Sequence, residues 1–392
     1  MKKIKVAFPI VDQSWIGGFN YITNLIQAIQ NLPDRKIEPV LLVSRSLIKK
    51  VENNFSDLKI VETSLFTGYG FFRILSKACE FFFKRNFPLE RLLNKHDVKI
   101  LSHAVPLGRD SKILSICWIP DFQHFRLPQY FSSQQIRRRN INFKRMIQSS
   151  SLILVSSLSA QRDLEEFEPR SINRSKVLNF ISTDTRKIKM LTAKELKLNY
   201  NLSQPFFYLP NQFWKHKNHK VVIDALIELS NEGLNIKVVC TGSSYDFRHP
   251  KYFGELQKYL KNTGQQKNFH VLGVLPKSHA LSLMYHSMAV INPSFFEGWS
   301  TTVEEAKVFG KTILLSDILV HKEQNPNRGI YFSPRSSIEL AKVMKKVFNT
   351  FDLKKENYEK KKSQGSFENI FLKFGYSYQK IVIDLLSKSK SF

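Results

Sequence analysis

The stretch PSFFEGWSTTVEEAKVFG, residues 293–310, decides how the rest of the chain reads. An apolar run, Met288 to Ile291, leads into a turn at Asn292-Pro293-Ser294. Ser and Thr cap the orphan N–H groups at helix starts, so Thr301-Thr302 before VEEAKVF predicts a helix that begins at one of the two threonines. Gly310 ends it, and KTILLS reads as a buried strand. Strand, small-residue loop, helix, strand is an order that aims backbone N–H groups and a helix N-terminus at an anion such as a diphosphate. Glu297 falls on the loop and Glu305 in the first turn of the helix. Two carboxylates so placed can accept hydrogen bonds from two sets of hydroxyls on one nucleotide-sugar. A plainer arrangement is open to each: Glu304 or Glu305 closes a capping box with Thr301 or Thr302, and Glu297 is a surface acid.

Taken together, the constellation resembles the signature of family 4 retaining glycosyltransferases of the GT-B fold, P-S-x-x-E-G-aromatic-(Gly/Ser)-x-x-x-x-E-A. Pro293, Ser294, Glu297, Gly298, Trp299, Ser300, Glu305 and Ala306 occupy its positions. The fold this implies is α/β, with two Rossmann-like domains whose parallel sheets face across a cleft. An N-terminal acceptor-side domain would span 1–185 and a nucleotide-sugar donor domain 186–367, with a C-terminal helix, 368–388, packing back onto the first.

Composition is compatible with that size. The chain has 392 residues, enough for two domains, and 42% hydrophobic content supports sizeable cores. No stretch approaches the roughly 18 apolar residues of a membrane span. The start, MKKIKVAFPIVDQ, is interrupted by Pro9 and Asp12 and reads as a first strand rather than a secretion signal. Cys79, Cys117 and Cys240 are few, odd in number and far apart, which supports neither a disulfide framework nor a zinc site and fits a reducing cytoplasm. The net charge of +27 favours an anionic partner. The charge is spread along the chain without zinc-finger spacing or an aromatic-basic platform, which speaks against nucleic acid.

In the N-terminal half, Ile4 to Ile10 reads as a strand and Phe19 to Gln30 as an amphipathic helix. Gly17-Gly18, just before that helix, lets backbone approach a ligand. Their position resembles the family's glycine loop at the donor diphosphate and acceptor. In FFRILSKACEFFFKRNF, 71–87, Phe71, Leu75, Ala78 and Phe82 fall on one face and Arg73, Lys77, Glu80 and Lys84 on the other, with Pro88 ending the helix. It reads as a helix packed on the sheet, with contact to an anionic membrane surface left open. His124 follows a strand in WIPDFQH, where α/β enzymes place chemistry. This loop resembles one that faces the sugar in a subgroup of the family.

In the C-terminal half, NQFWKHKNH clusters Lys215, His216, Lys217, Asn218 and His219 before a helix, where positive charge opposes the helix dipole unless an anion intervenes. Lys217 matches the family's phosphate-binding lysine. The family has an Arg five residues earlier, and this chain has Gln212 there, leaving Lys217 with Lys215 to carry the charge. Gly242 ends a further strand, and the backbone at Leu272–Val274 resembles the edge that meets the nucleotide base.

The resemblance implies retaining transfer of a hexose-type sugar from a nucleotide diphosphate-sugar to a sugar or lipid-linked acceptor, without metal or cofactor. Glu297 would bind sugar hydroxyls, His124 the sugar and Glu305 the ribose. Lys217, Gly17-Gly18 and the N–H groups of Ser300, Thr301 and Thr302 would hold the diphosphate. By analogy the setting is cytoplasmic bacterial surface polysaccharide synthesis, at or near the inner face of the membrane, with mannosyl transfer slightly ahead of glucosyl. A non-catalytic nucleotide-sugar-binding or scaffold protein is the alternative, suggested by Gln212. A pyridoxal-dependent phosphorylase shares the architecture, but its lysine signature is missing.

Overall fold

The computed structural model describes residues 3–10, 16–65, 78–79, 82–104, 107–108, 110–182, 185, 188–202, 205–363 and 367–389. The chain divides into two compact units. One comprises Met1–Phe125, Ser133–Ile181 and Asn369–Phe392; the other comprises Arg126–Ser132 and Ser182–Glu368. The sequence assigned 126–132 to the N-terminal half, and the structure groups it with the second unit.

The first unit is built on a seven-stranded sheet in the order β3-β2-β1-β4-β5-β6-β7, its described ladders all parallel. The strands are β1 (Ile4–Ile10), β2 (Ile37–Val43), β3 (Lys59–Glu62), β4 (Ile100–Ser102), β5 (Leu114–Ile119), β6 (Leu152–Val155) and β7 (Ser175–Val177). Central strands of such a sheet are covered on both faces, which is why they read as continuous apolar runs. Val6, Ala7 and Phe8 in β1 are fully buried.

Helix α1 (Ile16–Gln30) starts earlier than the sequence suggested, so Gly17 and Gly18 sit in its first turn and not in a preceding loop. The C-terminal helix, Phe367–Ser389, packs within this unit. Gly375 lets it approach α1 closely, since a Cβ there would lie 2.7 Å from the Ala28 carbonyl oxygen. Tyr378 donates to Ser102 Oγ at 2.7 Å, and the N–H of Lys36 donates to Gln379 Oε1 at 2.7 Å.

Most of the helix expected over 71–87 lies outside the described residues. Pro88, expected to end it, sits instead in the first turn of the next helix, Phe87–Lys95, capped by Asn86. A proline is tolerated there because first-turn N–H groups have no intrahelical partner. Helix α2 (Ser133–Ser149) follows β5 and contains Arg137–Arg139.

The second unit holds a six-stranded sheet, order β10-β9-β8-β11-β12-β13, again with its described ladders parallel. Its strands are β8 (Phe207–Leu209), β9 (Val238–Cys240), β10 (Phe269–Val271), β11 (Val290–Asn292), β12 (Ile313–Ser316) and β13 (Gly329–Phe332). Counted from its own first strand the order is 3-2-1-4-5-6, the doubly wound order that binds nucleotides where the winding reverses. The reversal falls between β8 and β11, paired through Tyr208 and Val290.

Around this sheet run α3 (His219–Asn231), α4 (Lys277–His286), α5 (Thr301–Val308), α6 (Leu319–Gln324) and α7 (Leu353–Ser363). Helix α7 is lysine-rich yet tied inward. Its Glu356 pairs with fully buried Lys311 and, at 2.8 Å, with Arg328. Burial pushes the Lys311 ammonium down to about 8, against the pull of Glu356. The polar stretch before β8 includes a helix, Ala193–Tyr200, held by a reciprocal capping box of Thr192 and Glu195. Among the described residues no helix is long and apolar enough to cross a membrane.

His219 opens α3 with no exposed surface, stacked on Phe213 at 4.3 Å. Its Nε2 lies 3.3 Å from the Asn211 carbonyl oxygen, which can only accept, so Nε2 carries the hydrogen. Burial holds the ring's pKa at about 3. Between the ordinary histidine value and that figure, the unfolded chain binds a proton and the folded chain does not. Stability should therefore fall as pH drops below about 6.5, by up to about 1.4 kcal/mol per pH unit from this residue. Melting curves from pH 7.5 to 4.5 should show a shallower acid dependence for His219→Gln than for the wild type.

Candidate functional site

Lys217 and Glu297 come from loops that leave the two strands flanking the reversal. Lys217 lies in a 3-10 turn, Lys215–Lys217, after β8. Glu297 lies in the loop between β11 and α5. Their side chains meet at 2.6 Å between Nζ and Oε1, with 15% and 10% of each exposed. The cationic cluster noted in the sequence is thus largely quenched. Glu297 neutralises Lys217, and burial with the nearby Lys217 and Arg248 charges pushes the His216 ring well below its usual pKa.

Buried polar side chains hold the Glu297 loop. Ser294 Oγ lies 2.7 Å from Glu297 Oε1 and 2.9 Å from Asn292 Oδ1. Asn292 donates to Ser300 Oγ at 2.8 Å and accepts from Asn211 at 3.2 Å. Asn218 takes a left-handed conformation, φ 56°, which Asn adopts more readily than most residues. From there its amide reaches the carbonyl oxygens of Pro293 at 3.1 Å and Pro334 at 2.8 Å. The N–H of Phe295 donates to the His216 carbonyl at 2.9 Å, tying the loop to the 3-10 turn.

Ser300 is the N-cap of α5, its Oγ accepting from the N–H of Val303. The third helical position is Val303, so neither Glu304 nor Glu305 closes a capping box. The first-turn N–H groups of Thr301 and Thr302 point out of the helix start, as such groups must. Gln324 at the end of α6 braces the cap, its Oε1 accepting from the Ser300 N–H at 3.2 Å. Its Nε2 donates to the Ser300 carbonyl at 2.9 Å and to Glu304 at 2.8 Å. Glu305 faces Lys277 at 3.7 Å. Burial raises the Glu305 carboxyl above the usual carboxylate range, with Lys277 pulling it back.

Gln212 is a brace within this unit. Its Oε1 accepts from the Ser243 N–H at 2.6 Å. Gly242 permits this approach: its φ is 140°, and a Cβ would lie 2.5 Å from the Asn211 carbonyl oxygen. Lys215 is exposed, its ammonium 5.9 Å from the Tyr130 ring. At the edge expected to meet the base, strand β10 stops at Val271; Leu272 still bonds to Cys240, Gly273 turns at φ 73° and Val274 is exposed. Gly298 and Trp299 complete the path to Ser300, both half-buried.

The three remaining expected residues lie in the first unit. Gly17 is exposed and Gly18 buried in the first turn of α1. His124 is 1% exposed, on a short helix after β5. Its Nε2 meets Asn140 Oδ1 at 3.0 Å, and its ring packs edge-on to Phe143 at 5.0 Å. The sequence expected this imidazole to contact a sugar; here the aromatic pocket and Asn140 turn it into the unit. Among the described residues, no group of three or more His, Cys, Asp or Glu side chains is arranged to hold a metal.

This second-unit arrangement has relatives. The model of glycosyl transferases group 1 matches residues 192–364, somewhat under half of the chain, and covers the whole Lys217–Glu297–α5 assembly. Over the full chain the structure is similar to a glycosyltransferase from Rickettsia africae, with TM-score 0.69, 16% identity and 98% of each chain covered. The fold is GT-B. HepE of Anabaena, solved with UDP and glucose, shares this GT-B architecture at TM-score 0.68 and 15% identity, over 98% of this chain and 100% of that one. The lipopolysaccharide outer core galactosyltransferase WaaB is similar at TM-score 0.59 and 13% identity, over 95% and 98%. No curated protein matches in sequence.

Sequence patterning missed Gln324, because its partners lie 20 and 24 residues away and polar side chains read as surface. Replacing it leaves three polar groups at the start of α5 without that partner, and an unsatisfied buried group costs about 1–3 kcal/mol. Gln324→Leu should lower denaturant-measured stability by that order, and Gln324→Glu should not recover it, because it keeps an acceptor for the Ser300 N–H but sets a second carboxylate against Glu304 and the Ser300 carbonyl.

Proposed function

We propose that the protein is a retaining glycosyltransferase that moves a hexose-type sugar from a nucleotide diphosphate-sugar to an acceptor hydroxyl. The observation that carries this is the Lys217–Glu297 pair at the strand reversal beside the start of α5, inside the segment matched by glycosyl transferases group 1. Each side chain of the pair is the other's counter-ion. A donor diphosphate that takes Lys217 and the Thr301 and Thr302 N–H groups would release Glu297 to the hydroxyls of the sugar. Charge that grows on the leaving diphosphate is then met by donors already in place, at no reorganisation cost. Lys217 and the helix N-terminus do this in place of a metal. Glu305 binds the ribose hydroxyls, and the leaving phosphate takes the acceptor proton on the same face.

The sequence slightly favoured mannose from a guanosine donor. HepE, solved with UDP and glucose, tips the proposal toward a uridine donor. The acceptor is assigned to surface polysaccharide, as a sugar or lipid-linked chain, at the cytoplasmic face of the membrane. Helix α2 supports peripheral contact there: it carries Arg137, Arg138, Arg139, Lys144 and Arg145, no acid, and Ile141 at 57% exposure. A second reading, nucleotide-sugar binding without transfer, is favoured only by Gln212 in place of a cation.

Thermal melts with UDP, GDP and ADP test the site. One nucleotide should raise the melting temperature by mass action, and Glu305→Ala should abolish the shift. Lys217→Ala should lower kcat about 10²–10³-fold, the usual loss for one charge-stabilising donor. Nucleotide binding without transfer or donor hydrolysis would favour the second reading. No shift with any nucleotide would defeat both.

The raised Glu305 carboxyl adds a pH expectation. UDP affinity, read by calorimetry from pH 8 to 5, should weaken on acidification and begin to do so above the range of an exposed glutamate, because the protonated form accepts fewer hydrogen bonds.

A further inference from the structure

Beneath the Glu297 loop lies a histidine that neither the motif nor the clamp uses. His321, in α6, is fully buried. Its Nδ1 lies 2.9 Å from the carbonyl oxygen of Ser316, the last residue of β12. A carbonyl oxygen only accepts, so Nδ1 carries the hydrogen. The other ring nitrogen, Nε2, is buried without a hydrogen-bond partner among the described residues. Moving the proton to Nε2 would forfeit the Ser316 bond and strand a buried donor, so the tautomer is set.

From Ser316 the contacts lead to the carboxylate. Ser316 Oγ lies 3.2 Å from the same Nδ1 and donates to the Ser294 carbonyl at 2.6 Å. Ser294 Oγ reaches Glu297 Oε1 at 2.7 Å, and Glu297 meets Lys217 at 2.6 Å. We infer that His321 is a positioning residue for Glu297, setting the carboxylate through Ser316 and Ser294; this rests on the glycosyltransferase reading above. A cationic side chain in its place would compete with Lys217 for the carboxylate. A neutral N–H donor fixes the loop without adding charge. Burial keeps the ring neutral, at a pKa of about 4, although Glu297 draws it upward and Lys217 downward.

Two substitutions separate positioning from packing. Asn can place its amide N–H where Nδ1–H stands, whereas Leu fills space without a donor. With UDP-glucose as probe, His321→Leu should lower the kcat of UDP release about 10–100-fold, the scale of a small misplacement of a reacting group. UDP affinity should stay within about twofold of wild type, because Glu305 and α5 hold the nucleotide. His321→Asn should recover kcat to within about fivefold. Wild-type kcat in His321→Leu would overturn the inference. So would equal losses in both variants accompanied by lost UDP binding, which is the mark of a general structural role.

A second measurement does not depend on the proposed reaction. The imidazole nitrogen-15 spectrum of the full chain, compared with His321→Asn to assign the ring, should show a neutral, Nδ1-protonated His321 from pH 6 to 8. An Nε2-protonated or cationic ring would overturn the inference whatever the kinetics show. The expected ring in a wild type that neither binds nor turns over any nucleotide-sugar would support the relay and defeat the glycosyltransferase reading.

Discussion

A lysine and a glutamate 80 residues apart meet at 2.6 Å, and the loops around the strand reversal of the second unit converge on that contact. The sheet order makes it achievable. Strands β8 and β11 are neighbours, and the winding reverses between them, so the loops leaving their C-terminal ends open side by side. One loop brings the cation and the other the anion. Two largely buried charges are tolerable together and costly apart, since removing one leaves the other desolvated without a partner. The pair therefore holds the two loops together while each charge satisfies the other.

The pair is only as well placed as the loops that carry it. Those loops are held by neutral amides and hydroxyls: Asn211, Asn218, Asn292, Ser294, Ser316 and Gln324, all at most 6% exposed. In a low-dielectric interior, a satisfied polar network fixes one arrangement, because each alternative leaves a buried donor or acceptor unpaired. Neutral groups suit this task. A charged brace would enter the electrostatics of the Lys217–Glu297 pair, whereas an amide adds direction without net charge. Helix α6 braces the loop at two points, with His321 under the Ser294 end and Gln324 under the Ser300 end.

What the sequence reveals follows from the range of the interactions. The βα rhythm, the Thr301 helix start and the strands on either side of it are local, and periodicity and capping chemistry announce them. Lys217 and Glu297 were legible as candidates because their types and spacing match a motif; that they touch was not, because the contact spans 80 residues. Gln324 and Ser316 were invisible, and Asn218 stood out only as a member of the 215–219 cluster, since a buried polar residue looks like a surface one until its distant partner is known. Helices α2 and α7 showed in the sequence only as solvated helix faces at Arg137–Arg139 and Lys360–Lys362, for a related reason: their polar and lysine-rich sequences hide the few inward residues, among them Ile147 and Glu356. The surroundings of His124 were equally out of reach of the sequence: Asn140 and Phe143, both on α2, supply the pocket around its ring.

Gln212 departs most plainly from the resembled motif, and its surroundings give the departure a physical sense. Its Oε1 accepts the Ser243 N–H where Gly242 crosses close to the Asn211 carbonyl. Arginine has five donors and no acceptor, so in this position it would leave that N–H unmet. Glutamine and the tight Gly242–Ser243 turn are therefore a matched set, not a lone lost charge. Arg248, the nearest guanidinium to this segment's His216 at 3.4 Å, does not make up the missing charge, because Asp246 pairs with it at 3.0 Å. Positive potential at the site then falls to Lys217, exposed Lys215 and the start of α5. The proposed clamp, with one strong cation leaning on a helix N-terminus, would depend more on the exact course of backbone at Ser300 to Thr302, where Gln324 braces Ser300.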